Sequence, residues 1–434
     1  LERTGTINLN QAAGAAHQDG VARQVLICTI GITSHVNTLR GMAARLEQEA
    51  YRPKFLLQRP DQAETLVERG RQVQLAATAD APRAGGVEAA GDLETVFANC
   101  SDDTIVLVDA EWHQALITAM GVGRRPTAVD YHCSPDRLAD VPPLSSPRRP
   151  APWPLRRMHC ARQWRRTLDH RLGRGVVQKQ LEQLRGPARR YGIDLDREAS
   201  LDGWQPIRFI NLDYLCASLV ELDFPSSAPR SSLHVGANVD ESRLHERSDP
   251  QLEEWLEAPD RREAPVVYAS LGSLKGSGAW LAAVFEAARL TPQWNWVVHA
   301  TGLEPAPGTG GTHNLYARPG ALPQLRVLSR ASAALIGAGI ASIHECIATG
   351  TPFVAYSLGV LDQNGNAART GFHGLGEAVF GPSDDGPRMV ERLERMMAGG
   401  DIPRPLDAFR GHLQRYDTER VLLRAIDALP RFSR

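Results

Sequence analysis

Residues 334–369 read ALIGAGIASIHECIATGTPFVAYSLGVLDQNGNAAR. An apolar, strand-forming run ends in Gly337-Ala338-Gly339, and residues 340–348 then have the composition of a helix. A second apolar run at 352–358 leads to the polar pair Asp362-Gln363. A strand, a tight glycine turn and a helix N-terminus make a seat for an anion, because unpaired backbone N–H groups and the helix dipole point the same way. Carboxylate and amide side chains one βα unit later suit the hydroxyls of a sugar joined to that anion. The segment therefore predicts an α/β sheet with a nucleotide-sugar-type site at its carboxyl edge.

The same alternation extends outward in both directions. Residues 24–30 (QVLICTI), 53–58 and 104–108 (TIVLV) read as buried strands, with helical periodicity at 35–49 and 111–120. A second set begins at 266–271 and continues at 295–299, 314–317, 333–336 and 352–356. Between them lie a proline-rich loop at 142–154 and a long helical segment reaching residue 190. Two Rossmann-like, doubly wound halves facing each other across a cleft are the expected architecture. The expected divisions are a disordered tail at 1–21, an N-terminal domain at 22–230, a loop-like linker at 231–264, a C-terminal domain at 265–416 and a closing helix at 417–434.

Bulk properties narrow the class. At 434 residues the chain is long for one core and predicts two domains of roughly 200 residues. A formal net charge of −1 gives no global attraction to nucleic acid or membrane. The six cysteines have no CxxC spacing, which argues against a zinc site or a disulfide framework. No apolar run is long enough to span a bilayer. The polar first twenty residues lack a signal-peptide core, so a cytoplasmic location is expected.

Four segments together resemble one family, the inverting GT-B glycosyltransferases of the UDP-glycosyltransferase type. IGITSHVNT at 30–38 resembles the loop after their first strand, usually GHVNP, and PVVYASLGS at 265–273 resembles the first strand of their nucleotide-binding domain. Pro323-Gln324 followed by Val327-Leu328 resembles their PQ…LL segment. The opening stretch resembles their donor signature, HxGxxSxxE followed by DQxxNA. With SLVELDFP at 218–225, the likeness points to the bacterial zeaxanthin glucosyltransferase-like and macrolide glycosyltransferase-like branch.

The resemblance implies a metal-independent hexosyl transfer with inversion and no cofactor beyond a nucleotide-sugar co-substrate, a UDP- or dTDP-sugar. The acceptor would be a small hydroxylated molecule, lipophilic or of secondary-metabolite type. His35 would take the acceptor's proton, and Asp109 would hold the other imidazole nitrogen, with Glu111 and His113 as nearby substitutes for the aspartate. Ser273, Gln324, Gly337, Gly339 and Ser342 would line the phosphates and nucleoside. Glu345 would grip the ribose, and Asp362 and Gln363, exposed on a loop, the sugar. A turn or N-cap role suits Ser273 equally well, and a capping box is the alternative for Glu345.

Three positions depart from the pattern. The family's diphosphate-binding histidine falls on Gly337, a polar neighbour on Ala341, and the base-stacking aromatic on Ala321. Losing a charge-assisted hydrogen bond costs about 1.5–3 kcal/mol. His344 or His313 could compensate, the donor could be unusual, or the chain could be a degenerate GT-B protein that binds without transferring. Outside these motifs, residues 148–190 hold 13 Lys or Arg against two acids, with Trp153, Leu155, Trp164 and Leu168 interleaved. Such a segment suits an ordinary solvated helix face, an acidic or lipophilic acceptor, or peripheral contact with an anionic membrane. No nucleic-acid motif accompanies it.

Overall fold

The computed structural model describes residues 22–49, 51–59, 62–67, 71–76, 88–89, 92–246, 249–272, 278–299, 313–320, 322–381, 384–399 and 403–429. The expected tail at 1–21, Ser273 and Ala321 lie outside the described residues.

Strands are numbered in chain order. The first sheet contains β1 (Arg23–Thr29), β2 (Tyr51–Leu57), β3 (Gln72–Leu75), β4 (Glu88–Ala89), β5 (Ile105–Asp109) and β6 (Thr127–Asp130). A small antiparallel pair, β7 (Ala199–Ser200) and β8 (Arg208–Phe209), stands apart from it. The first sheet is completed by β9 (Asp213–Cys216) and β10 (Ser232–His234), giving the order β10-β9-β6-β5-β1-β2-β3-β4 with every pairing parallel. The second sheet holds β11 (Val266–Ser270), β12 (Asn295–His299), β13 (Leu315–Arg318), β14 (Ala333–Gly337), β15 (Phe353–Ser357) and β16 (Gly376–Phe380). Its order is β13-β12-β11-β14-β15-β16, also all parallel.

Each order reverses direction once, between β1 and β5 in the first sheet and between β11 and β14 in the second. Crossover connections diverge at such a point and leave a crevice at the strands' carboxyl ends. The loop leading to His35 and the end of β5 at Asp109 flank the first crevice. Leu271 and Gly337 flank the second. The strands are almost wholly apolar because helices cover both faces; β14 and β15 are buried along their full length.

The segment expected to be a loop-like linker is ordered differently. Residues 231–264 contain β10, a 3-10 turn Glu241–His245 and the helix Pro250–Glu257, whose N-terminus Asp249 caps by accepting from Leu252 N–H at 3.1 Å. The long helical segment is two helices, Arg156–Gly173 and Val176–Arg190, broken at Gly175, whose φ of +65° favours glycine.

One apolar cluster runs through both halves, joining Cys133, Leu144 and Leu222 to Ile343, Cys346 and Ala367. Above it, helix Gln363–His373 docks on the first half. Gly365 N–H donates to Leu144 O at 2.6 Å, and a Cβ at Gly365 would lie 2.5 Å from Leu144 Cα, so only glycine permits the approach. Four residues on, Arg369 Nε donates to Asp223 Oδ1 at 2.8 Å, both side chains fully buried. The chain finally returns to its start. Helix Val421–Ala428 packs Leu422, Leu423 and Ile426 against Val25, Ile27 and Val36 of the first half.

Candidate active site

The first crevice is built around an imidazole. After β1 the chain turns at Gly31, with φ of +82°, and enters helix Thr33–Glu47. Val36, Leu39, Met42, Ala43 and Leu46 lock that helix to the core, which fixes His35 in its first turn. His35 Nδ1 lies 2.8 Å from Asp109 Oδ2, and Thr29 Oγ1 donates to the same oxygen at 3.0 Å. Asp109 Oδ1 accepts the Glu111 N–H at 3.0 Å. Asp109 is therefore a fully buried carboxylate with three donors, and it sets the tautomer: Nδ1–H donates, leaving Nε2 as the lone-pair nitrogen. Tyr131 stacks on the imidazole with centroids 4.0 Å apart and planes 22° apart. Burial pulls the His35 pKa down, but the charge and hydrogen bond of Asp109, with Glu111 behind it, outweigh burial and raise it above the ordinary value.

A second imidazole stands beside the first. Asp130 ends β6 as Asp109 ends β5, and its Oδ1 takes both the N–H of His132 at 2.8 Å and Nδ1 at 2.9 Å. Glu111 Oε1 is 4.0 Å from His132 Nε2 on the other side. Burial disfavours the His132 charge, yet Asp130, then Asp362 and Glu111, raise its pKa to about 9. These carboxylates favour the charged form of His132. His113 is turned away, its Nε2 bonded to Ile207 O at 3.0 Å, so it does not substitute for Asp109.

The second crevice faces these groups. Helix Ile340–Thr349 starts directly after Gly339 with no side-chain cap, and nothing lies within 4 Å of a Cβ built on Gly339. Gly337 differs. A Cβ there would sit 2.9 Å from Leu271 O and 3.1 Å from its carbonyl carbon. The adjacent strand's backbone thus occupies the space that a histidine side chain would need to leave β14. Glycine at 337 permits this close approach between β14 and the end of β11.

One turn into the helix the polar residues are bound to one another. Gln324 Nε2 donates to Glu345 Oε2 at 2.6 Å and to Ser342 Oγ at 3.2 Å, while Tyr268 O–H donates to Gln324 Oε1 at 3.0 Å. Arg243, from the turn Glu241–His245, bonds through Nη1 to Glu345 Oε1. Both oxygens of this buried carboxylate are engaged by protein donors. Burial opposes the guanidinium charge, but Glu345, Glu246 and Asp240 hold the Arg243 pKa above its usual value.

No family model matches the chain, and no curated protein matches it in sequence. Similarity lies in three dimensions. A glycosyltransferase of kitacinnamycin superposes with a TM-score of 0.62 at 17% identity, over 94% of this chain and 99% of that one. The calicheamicin glycosyltransferase CalG4 gives 0.62 at 16% identity, over 95% and 99%. The chain has the GT-B fold. The glycosyltransferase VinC, whose structure was determined with dTDP, follows at 0.56 and 15% identity, over 93% and 99%.

Within this GT-B frame, His35 and Asp109 come together at one sheet's carboxyl edge, and Gln324, Ser342 and Glu345 at the other's. Asp362 is half-buried at the start of helix Gln363–His373, its Oδ2 accepting from Asn366 Nδ2 at 2.8 Å. Gln363 corrects the expectation of an exposed pair. It is buried, and its Oε1 takes the Leu358 N–H at 2.9 Å, because the turn after β15 must satisfy its own backbone. His344 does not take the place of the histidine that the resemblance implies: its Nε2 meets Ser218 Oγ at 3.1 Å in the buried junction, and burial lowers its pKa to about 3. His313 is exposed at the approach to β13, away from the glycine turn.

Two groups escaped the sequence reading. For His132 a signal existed, since Val108-Asp109 and Val129-Asp130 repeat one pattern at two strand ends. Arg243 gave none; it is a lone arginine in a polar stretch. Among the described residues no cluster of three or more His, Cys, Asp or Glu could hold a metal ion.

Proposed function

We propose that the protein is an inverting, metal-independent glycosyltransferase that moves a hexose-type sugar from a nucleoside diphosphate, a UDP- or dTDP-sugar, to a hydroxyl of a small acceptor. The observation that carries this reading is the His35–Asp109 pair at the topological switch of the first GT-B sheet, opposite the glycine-turn helix of the second. In the proposed reaction the acceptor O–H gives its proton to His35 Nε2 while the oxygen attacks the anomeric carbon. The bond from that carbon to the diphosphate oxygen breaks on the opposite face, and Asp109 stabilises the imidazolium that forms. The leaving diphosphate would meet the backbone N–H groups at the start of helix Ile340–Thr349 and Ser342 Oγ. Asp362 would accept from sugar hydroxyls. The kinship in shape with a glycosyltransferase solved with dTDP supports a nucleotide donor, and the neighbours' antibiotic context supports a secondary-metabolite acceptor.

A second reading is favoured by one specific observation: Arg243 and Gln324 already engage both oxygens of Glu345. A GT-B protein with its ribose seat filled would bind an acceptor-like molecule without transferring sugar. Thermal-shift titration with UDP, dTDP and GDP separates the two. Stabilisation by one of them supports the transferase; no shift from any at millimolar concentration sinks it.

A further inference from the structure

Helix Arg156–Gly173 carries six arginines and one aspartate in a chain of net charge −1. Its inner face is anchored by buried Cys160 and Trp164, the indole N–H donating to Val141 O at 2.8 Å. Two of the arginines serve the protein's own backbone: Arg156 Nε donates to Asp140 O at 2.7 Å and Arg171 Nη1 to Gly203 O at 3.1 Å. The other four, Arg157, Arg162, Arg165 and Arg166, are exposed, and none pairs with an acid among the described residues. A solvated surface helix ordinarily intersperses both signs of charge; this one, whose single acid is Asp169, leaves four arginines without an acid partner among the described residues.

The cations stand beside apolar side chains that packing does not explain. Five of the eleven large apolar residues exposed among the described residues fall within residues 153–176: Trp153 (78% exposed), Leu155, Met158, Leu172 and Val176. Isolated exposed apolar residues are normal, but such a concentration marks a contact surface. Trp153 also borders a groove of about 350 Å³ lined by Pro150, Pro152, Arg157, Asp140 and Phe372 of the second half. Among the described residues no helix is long and apolar enough to cross a membrane.

We propose that this face docks on an anionic lipid bilayer, with Arg157, Arg162, Arg165 and Arg166 among the headgroup phosphates and Trp153 and Leu155 at the acyl boundary. Unpaired arginines want phosphates, and an exposed tryptophan beside them wants the half-polar depth of a membrane interface. Together these supply the electrostatic and apolar components that peripheral attachment requires. The inference is independent of the catalytic reading.

The test is co-sedimentation of the full chain with sucrose-loaded vesicles of phosphatidylcholine, with and without one third phosphatidylglycerol, in about 0.1 M and about 1 M salt. Binding is expected on the anionic vesicles at low salt alone. The double variant Arg162→Glu/Arg165→Glu should lower the partition coefficient by about tenfold or more, and Trp153→Ser should lower it measurably, with both variants unfolding at the wild-type temperature. No binding to anionic vesicles, equal binding to neutral ones, or indifference to either variant overturns the proposal. So does self-association on gel filtration that both variants abolish in the absence of vesicle binding, which would assign the face to a second copy of this chain.

Discussion

Arg243 and Glu345 form a buried ion pair that joins the segment between the two sheets to the helix after the glycine turn. Arg40 extends the network, its guanidinium meeting Asp240 at 2.9 Å and Glu246 at 3.1 Å. The carboxylate that resemblance assigns to a ribose is in this structure satisfied by the protein itself. A nucleoside seeking Glu345 must therefore compete with an intramolecular guanidinium.

Replacing Arg243 by Ala should lower the melting temperature of the free protein, since breaking a buried pair costs about 3–5 kcal/mol. The same variant should gain more stabilisation from saturating UDP or dTDP than the wild type does, because ribose hydroxyls would then meet an unpaired acceptor. Differential scanning fluorimetry reads both. A smaller nucleotide shift in the variant would make Arg243 part of the donor's binding surface instead.

His35→Ala should reduce kcat by about 10²–10⁴-fold, the usual contribution of a positioned base, while nucleotide affinity by calorimetry stays near wild type. Loss of both together would mean that the imidazole is structural.

The raised His35 pKa has a consequence for the pH profile. As the proposed base, His35 must be neutral to act, so activity should fall as pH drops through its pKa, with Asp109 moving that acidic limb upward. Asp109→Asn should shift the limb of kcat/KM to lower pH and reduce the maximum. An unmoved limb would place the titrating group elsewhere.

Gly337→His introduces, in name only, the histidine that the sequence resemblance implies. The Cβ would approach the Leu271 carbonyl oxygen at 2.9 Å, and overpacking of this kind costs about 1–3 kcal/mol. Lower stability in urea and no gain in nucleotide affinity are expected. A stable variant that binds more tightly would show that the β11 end can yield.

His132 contributes stability with a definite sign. Its pKa is raised to about 9 in the folded state, against about 6.5 for a free imidazole. The stabilisation is complete below about pH 6.5 and lost as pH rises through about 9. His132→Gln should be destabilised by about 1–3 kcal/mol near pH 6 and approach the wild type by pH 10. A deficit independent of pH would point to lost packing.

Three strands of the first sheet and five of the second were legible because parallel strands covered on both faces are unbroken apolar runs with glycine at the turns, as at 266–271 and 333–336. The short strands β3, β4, β6, β9 and β10 and the edge strand β16 were not. Asp109 was legible because it ends such a run. Gln363 was misjudged: the DQ pair looks polar and exposed, but a short turn after β15 leaves the Leu358 N–H needing a partner, and the nearest amide is buried to meet it. The glycine at 337 is visible in sequence as a departure, yet its close approach to the Leu271 carbonyl is a contact across 66 positions that only the sheet order discloses. Arg243 and the linker's helix were hidden for a related reason. Polar composition says nothing about which charge will be drawn inward when a carboxylate is buried nearby.

Helix Val421–Ala428 covers the first sheet with side chains supplied more than 390 positions after Val25. During synthesis, the apolar face around Val25, Ile27 and Val36 is complete in sequence long before its cover is made. The nascent first half carries that patch without its cover until residues 421–428 emerge, so completion of its core is coupled to a segment far along the chain. Removal of residues 421–428 would leave that apolar face of the first sheet exposed to water.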